Sequence, residues 1–163
     1  MINPRALTRL HCLVERALSE GAELLCGGEI LDRELQPASP EEGGIFYAPT
    51  VLSGVTSAME IAQCELFGPV VTLISFEDEA EALQIANDTP YGLAAYFFTE
   101  DHRRIWRFAE ALEYGMVAVN DGALSHARAP FGGVKESGIG REGSAWGLDE
   151  FMELKYVMLG GLS

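Results

Sequence analysis

The part of the sequence between residues 70 and 120 constrains the fold most, because strand patterns and helical patterns alternate along it. Residues 70–76 form a continuous β-branched and aromatic run, which is typical of a strand buried on both faces. The elements that follow, helix and strand in turn, are predicted at 78–86, 94–98, 105–112 and 116–119. This alternation with short links predicts an α/β fold built on a parallel βαβαβ core, with right-handed crossovers and helices on both faces.

Shorter elements are predicted on both sides of this core. Apolar residues at helical spacing predict a helix over 7–18, which Pro4 begins and Gly21 ends. Strands are predicted at 22–26 and 46–52, with a polar loop or hairpin at 31–44. The glycine-rich stretch 121–147 is predicted to be an extended loop, and residues 151–159 to be a last strand.

Composition and charge exclude several classes of partner. The 163 residues are 48% hydrophobic, enough for a folded core, and 25 acidic against 11 basic residues give a net charge of −14. A field of that sign repels phosphate backbones and anionic membrane surfaces. The sequence has no apolar run long enough to cross a bilayer and no signal-peptide pattern. Three widely spaced cysteines argue against a disulfide framework, so the cytoplasm is the expected compartment.

Residues 138–143 match the pattern G-x-G-x-x-G of dinucleotide-binding loops. A dinucleotide loop follows a buried strand and opens a βαβ unit, whereas the residues before Gly138 have no strand pattern. An independent nucleotide site at these glycines remains one hypothesis. The alternative, which the sequence favours, is a glycine loop shaped for close backbone packing.

The cysteines and histidines do not form a recognisable reactive or metal-binding pattern. Cys12 lies in a predicted helix, Cys26 ends a predicted strand, and Cys64 precedes Glu65, whose charge would raise the pKa of a nearby thiol. All three are interpreted as packing residues. The three histidines, His11, His102 and His126, lack metal-ligand spacing, so neither a catalytic residue nor a metal site is predicted.

A carboxylate and an aromatic ring stand just before a rigid turn, in the segment 65–69 with the sequence ELFGP. A carboxylate accepts two sugar hydroxyls, and an aromatic face suits a planar ring. The simpler alternative is a solvated Glu65 and a core Phe67. The residues alone leave both open.

Several motifs taken together resemble the C-terminal part of the aldehyde dehydrogenase superfamily. In order and spacing they are ELFGP at 65–69, NDTPYGL at 87–93, PFGGVKESG at 130–138, GREGS at 140–144 and LKYV at 154–157. The match covers essentially the whole chain. The stretches at 113–117 and 141–144 are most similar to the succinate-semialdehyde dehydrogenase branch.

The resemblance implies roles for four residues. Glu65 corresponds to a glutamate that binds hydroxyls of the nicotinamide ribose of NAD or NADP, and Phe67 to an aromatic residue near the nicotinamide. Phe131 corresponds to a phenylalanine of the substrate tunnel, and Ser125 to a serine that contacts the carboxylate of succinate semialdehyde. At His126 and Arg128 the family often has other residue types. This difference concerns the preference of the complete enzyme for an aldehyde that carries a carboxylate.

The family places its nucleophilic cysteine, its catalytic glutamate and its nucleotide-binding domain before the segment that matches Met1. The resemblance therefore implies a C-terminal fragment, with residues 1–150 in the catalytic domain and 151–163 as an oligomerisation strand that adds to a neighbouring subunit. Such a chain would neither oxidise an aldehyde nor bind the cofactor tightly by itself. The alternative is a non-catalytic dimerising module from a truncated paralogue.

Overall fold

A computed structural model describes residues 1–31 and 45–161 of the chain. The loop or hairpin predicted at 31–44 lies outside the described residues except for Leu31. The chain divides into two compact units, Met1–Ile85 and Ala86–Ser163. Within the described ranges, no helix is both long and apolar enough to cross a membrane.

Helices and strands occur in both units. The described helices are α1 (Pro4–Ser19), α2 (Glu60–Gln63), α3 (Glu79–Asn87), α4 (His102–Ala111) and a 3₁₀ helix (Trp146–Phe151). The described strands are β1 (Glu23–Cys26), β2 (Ile30–Leu31), β3 (Phe46–Tyr47), β4 (Thr50–Ser53), β5 (Val70–Thr72), β6 (Tyr91–Gly92), β7 (Ala94–Phe97), β8 (Met116–Val119) and β9 (Val134–Lys135). The predicted helices and the predicted strands at 22–26, 94–98 and 116–119 are confirmed, with ends shifted by a few residues.

Helix α1 begins and ends where the sequence predicts. The side chain of Asn3 accepts a hydrogen bond from the backbone N–H of Ala6 at 2.8 Å, and Pro4 occupies the first turn. Beyond the helix, Gly21 has a φ of +108°, a conformation that glycine adopts without steric cost. The buried face of α1 forms the core of the first unit with residues from the sheet and α2: Leu10, Leu13, Val14, Ala17, Leu52, Val55 and Ile61.

The first unit contains a three-stranded sheet in the order β1-β4-β5. Strand β4 is antiparallel to β1 and parallel to β5. The single strand predicted at 46–52 is wrong, because Pro49, which has no N–H for a ladder, separates β3 from β4. The predicted strand at 70–76 shortens to β5, and burial on both faces is wrong as well. Val71 is 55% exposed, so one face of β5 is not covered within the described residues.

The second unit contains a parallel β7–α4–β8 unit, in which Ala94 pairs with Met116 and Phe97 with Val119. The rings of Phe97 and Phe108 lie 5.4 Å apart and pack the helix against the strands. The parallel pairs β4–β5 and β7–β8 belong to different sheets. The α/β class is therefore confirmed, whereas one continuous βαβαβ core is not.

Asn87 and Lys135 hold the end of α3 to the loop before β8. The side-chain amide of Asn87 donates to the carbonyl of Ala111 and accepts from the N–H of Glu113, both at 2.9 Å. The ammonium of Lys135 donates to the carbonyl of Asn87 at 2.9 Å and forms an ion pair with Glu113 at 2.7 Å. These two side chains satisfy backbone groups that no ladder reaches.

Glycine backbones approach one another closely in the loop that follows β8. A methyl group on Gly115 would lie 2.1 Å from the carbonyl oxygen of Gly132, and one on Gly132 would lie 2.2 Å from that of Gly140. The guanidinium of Arg141 donates to the carbonyl of Gly133 at 2.6 Å in the same loop. The extended loop predicted at 121–147 is largely confirmed, with β9 and the start of the 3₁₀ helix inside it.

The strand predicted at 151–159 is not formed within the described chain. Phe151 ends the 3₁₀ helix, and residues 152–161 belong to no strand or helix. Their large apolar side chains are exposed, and Leu154 reaches 107% of its reference exposure. A strand requires a neighbouring strand for its backbone hydrogen bonds, and the described residues provide none along this tail.

Phe67 adopts a backbone conformation that is rare for a bulky residue, with a φ of +48°. Its ring is 79% exposed, so no burial of the ring offsets the strain. Left-handed conformations cost an L-residue roughly 1–2 kcal/mol. Phe67 is therefore a strained residue with an exposed ring.

We expect Gly115→Ala to lower the free energy of unfolding of the 163-residue chain by about 2 kcal/mol or more. The new methyl group would overlap the backbone carbonyl of Gly132, which must then shift. Gly122→Ala is the matched control, since nothing lies within 4 Å of a methyl group there. It should change the stability by less than about 0.5 kcal/mol. If urea denaturation gives the same change in unfolding free energy for both variants, the close contact between Gly115 and Gly132 is contradicted.

We expect Phe67→Gly to be more stable than Phe67→Ala by about 1 kcal/mol, because both variants remove the ring and only glycine removes the cost of a positive φ. Chemical denaturation of both variants measures the difference. If Phe67→Ala is the more stable variant, the residue does not have a left-handed backbone in solution.

Candidate functional site

The segment 65–69 connects α2 to β5 and is anchored to the core of the first unit at its end. The N–H of Thr50 donates to the carbonyl of Pro69 at 2.8 Å. A methyl group on Gly68 would lie 2.4 Å from a terminal carbon of Leu10, so this turn presses against α1. The Gly-Pro turn is therefore a fixed support for the residues before it.

Side chains alternate between core and solvent immediately before this support. Cys64 and Leu66 pack against the core of the first unit. Glu65 and Phe67 are exposed. The alternative of a core Phe67 is therefore wrong, and a carboxylate and an aromatic face stand two residues apart on the outer side of one fixed segment. This arrangement suits a ligand that offers hydroxyl groups and a planar ring.

The environment of Cys64 does not favour a nucleophile. Burial raises the pKa of its thiol, while the nearby charge of Arg9 lowers that pKa and the charge of Glu60 raises it. The carboxylate that acts on the thiol is therefore Glu60 rather than the predicted Glu65. A raised pKa reduces the thiolate fraction at neutral pH.

The other two cysteines differ from their interpretation as packing residues. Cys12 and Cys26 are exposed, because they lie on the outer sides of α1 and β1. His11 and His102 lie on helices as predicted, and Nδ1 of His11 is 3.1 Å from the hydroxyl of Tyr47. No group of three or more possible metal ligands occurs in the described part of the chain.

Ser125 and Phe131 flank a short turn in the second unit. The N–H of Ala129 donates to the carbonyl of His126 at 3.0 Å, which closes the turn. The N–H of Ser144 donates to the carbonyl of Ala127 at 3.1 Å. Phe131 exchanges two backbone hydrogen bonds with Glu142, at 2.8 and 2.7 Å. The structure therefore brings the two predicted substrate residues into one hydrogen-bonded loop, and Ser125 is exposed within it.

Phe131 also lines a cavity of about 590 Å³ in the second unit. The other walls are mainly glycine backbone and apolar side chains, including Leu93, Gly132, Gly140, Gly147, Leu148 and Phe151. Nη1 of Arg141, another wall residue, donates to three backbone carbonyls. One feature of the sequence relates to this cavity, the density of glycine between residues 132 and 147, and by itself that feature predicts only close packing.

The glycine pattern at 138–143 lies between β9 and the 3₁₀ helix and not between a strand and an α-helix of a βαβ unit. The contact between Gly140 and Gly132 confirms the close-packing interpretation. The dinucleotide loop geometry is therefore wrong for these residues.

Comparison with known proteins gives a consistent result. The model of the Aldehyde dehydrogenase family matches residues 1–157. The chain is 47% identical over 163 residues to the mitochondrial succinate-semialdehyde dehydrogenase of Arabidopsis thaliana, covering 100% of this chain and 29% of the relative. It is 44% identical over 162 residues to the 3-sulfolactaldehyde dehydrogenase of Pseudomonas putida, covering 99% of this chain and 32% of the relative.

A solved structure agrees with both relatives. The crystal structure of succinate-semialdehyde dehydrogenase from Burkholderia pseudomallei superposes with a TM-score of 0.80 at 45% identity, covering 93% of this chain and 30% of that protein. The chain thus spans about a third of the length of the proteins that it matches. On the match over 157 of its residues, the chain belongs to the aldehyde dehydrogenase family.

Proposed function

We propose that this chain forms the C-terminal part of an NAD- or NADP-dependent aldehyde dehydrogenase that oxidises succinate semialdehyde, or a similar aldehyde, to the acid. Residues 1–150 would belong to the catalytic domain, and residues 151–163 to an oligomerisation strand. The observation that carries the proposal is the exposed pair Glu65 and Phe67 on the fixed segment before β5, in a chain of this family.

The two residues fit the nicotinamide end of the cofactor. The carboxylate of Glu65 is exposed, and its two oxygens accept hydrogen bonds from the two hydroxyls of a ribose. The exposed face of Phe67 offers a flat apolar surface beside it. The cofactor, when bound, supplies the hydride acceptor, while Glu65 and Phe67 fix its position. The strained backbone of Phe67 is consistent with a residue retained for binding.

Ser125 and Phe131 would contact the aldehyde. The hydroxyl of Ser125 donates a hydrogen bond to a substrate carboxylate, and Phe131 offers an apolar wall to the methylene groups. The backbone bonds of this loop to Glu142 and Ser144 hold both residues in place. Such support raises the effective concentration of the reacting groups.

The nucleophile would come from elsewhere in the polypeptide. Oxidation of an aldehyde by this family needs a thiolate, and the thiol of Cys64 has a raised pKa. Cys12 and Cys26 lie exposed on a helix and a strand. We therefore expect the 163-residue chain to be inactive by itself.

The exposed tail favours a second candidate, a non-catalytic module that dimerises. Apolar side chains from Leu154 to Leu159 face solvent. Contiguous exposed apolar surface of this kind marks an interaction site. Both candidates predict assembly through the tail, and only the first predicts a contribution to catalysis.

A chimeric enzyme tests the catalytic role. In this chimera, the present chain replaces the matching segment of the Burkholderia pseudomallei enzyme, whose solved structure fixes the junction. We expect the chimera to oxidise succinate semialdehyde with NAD or NADP. Glu65→Gln should raise its KM for the cofactor by about tenfold or more, because a hydrogen bond to a charged group is lost.

Glu29→Gln is the control, since Glu29 is an exposed carboxylate in the same unit. It should change the cofactor KM by less than about twofold. Identical KM values in the two variants would show that Glu65 does not bind the ribose. Turnover by the 163-residue chain alone, above a heat-inactivated sample, would show that it contains a complete active site.

Two proline variants test the oligomerisation strand. Successive N–H groups of a strand point in opposite directions, so an edge pairing uses only one of two neighbours. We expect one of Tyr156→Pro and Val157→Pro to shift the chain towards monomer in light scattering, and the other to have a smaller effect. Equal effects would indicate unspecific apolar association, and an unchanged mass in both would exclude the tail from assembly.

A further inference from the structure

The side chain of Asn120 continues the hydrogen bonding between β7 and β8 beyond the end of β8. The backbone N–H of Asn120 donates to the carbonyl of Phe97 at 2.9 Å. Its side-chain amide then accepts from the N–H of Thr99 and donates to the carbonyl of Thr99, both at 2.8 Å. One side chain therefore supplies the donor and the acceptor that a further residue of a ladder would offer.

The backbone turns out of the sheet at the same residue. The φ of Asn120 is +57°, a left-handed conformation that asparagine adopts more readily than most residues other than glycine. This conformation ends β8 and directs the chain that follows. Because the amide bonds both polar backbone groups of Thr99 at once, it fixes the orientation in which the chain leaves the strand.

The partner of this amide is itself held in place. The hydroxyl of Thr99 accepts from the N–H of Asp101 at 3.2 Å and from Nη1 of Arg104 at 3.1 Å. The carboxylate of Asp101 caps α4, since it accepts from the N–H of Arg103 at 2.8 Å. Asn120 is therefore bonded to a residue that the start of α4 fixes.

The segment that leads from Asn120 to Ser125 depends on this attachment. The carboxylate of Asp121 accepts from the N–H of Ala123 at 3.0 Å, which is a bond within the segment. Residues 122–125 form no hydrogen bond with another element in the part of the chain that the structure describes. Phe131, by contrast, has its own two backbone hydrogen bonds to Glu142. Loss of the amide of Asn120 would thus displace Ser125 and leave Phe131 held.

We propose that Asn120 is a positioning residue for the aldehyde, because its side-chain amide sets the position of Ser125. The inference rests on the proposed function, in which the hydroxyl of Ser125 contacts the carboxylate of the substrate. Asn120 acts through Ser125 and does not touch the substrate itself. A misplacement of roughly 1 Å in a substrate-contacting group costs about a hundredfold in rate, so a small displacement has a measurable effect.

Two aldehydes of equal chain length test the inference in the chimera. Succinate semialdehyde carries a carboxylate where butanal carries a methyl group. Asn120→Gly removes both hydrogen bonds of the amide and still allows the left-handed backbone. We expect this variant to lower kcat/KM for succinate semialdehyde by about tenfold or more. Both kcat/KM for butanal and KM for the cofactor should stay within about twofold of the unchanged chimera.

A double variant shows whether Asn120 acts through Ser125. If it does, Ser125→Ala already removes the contact, and adding Asn120→Gly lowers kcat/KM for succinate semialdehyde no further. Additive losses would overturn the inference while the proposed function stands. If Ser125→Ala alone leaves kcat/KM for both aldehydes unchanged, the substrate contact in the proposed function fails, and the inference fails with it.

Asn87→Gly is the matched control, because the amide of Asn87 also bonds one carbonyl and one N–H in the same unit. It should change the ratio of the two kcat/KM values by less than about twofold. An equal change of that ratio in Asn87→Gly would overturn the inference. An equal loss for both aldehydes in Asn120→Gly would do the same, since Asn120 would then support only the fold.

Discussion

The second unit depends on the close approach of glycine backbones. Between β8 and the 3₁₀ helix the chain has only one two-residue strand, so ladders cannot satisfy most of its polar backbone groups. Gly115, just before β8, and Gly132 and Gly140 in this loop let backbone segments pass at distances that a side chain would forbid. Arg141 then reaches carbonyls that would otherwise lack donors. The turn that follows Ser125 is tied to this loop by the hydrogen bond from the N–H of Ser144 to the carbonyl of Ala127.

The first unit supports its candidate site by a different means. A hydrophobic core holds the segment before β5 from one side, through Cys64, Leu66 and the turn at Gly68. The polar and aromatic groups of Glu65 and Phe67 are then left on the other side, where a ligand can reach them. Successive side chains of an extended segment point to opposite sides. Burial of Cys64 and Leu66 in the core therefore turns Glu65 and Phe67 towards solvent.

The spacing of apolar residues predicted the helices and strands whose positions depend on nearby residues. The helix start at Pro4, the apolar face of α1 and the β7–α4–β8 unit follow from spacing and chirality within a few residues. The break at Pro49 was predictable in principle, since proline interrupts a ladder. The sheet order was not predictable, because the apolar residues at 70–76 do not show how many strands lie beside that strand. The exposure of Phe67 and the pairing of Phe131 with Glu142 depend on tertiary structure, which periodicity does not encode.

The amide of Asn87 has a consequence for the evolution of this chain. It donates to one backbone carbonyl and accepts from one backbone N–H, so both ends of the group are committed. Aspartate, its nearest isostere, would set an oxygen against the carbonyl of Ala111, and serine would reach only one of the two partners. Glutamine has both groups but one more methylene. The stereochemistry of these two hydrogen bonds therefore restricts which residues can replace Asn87.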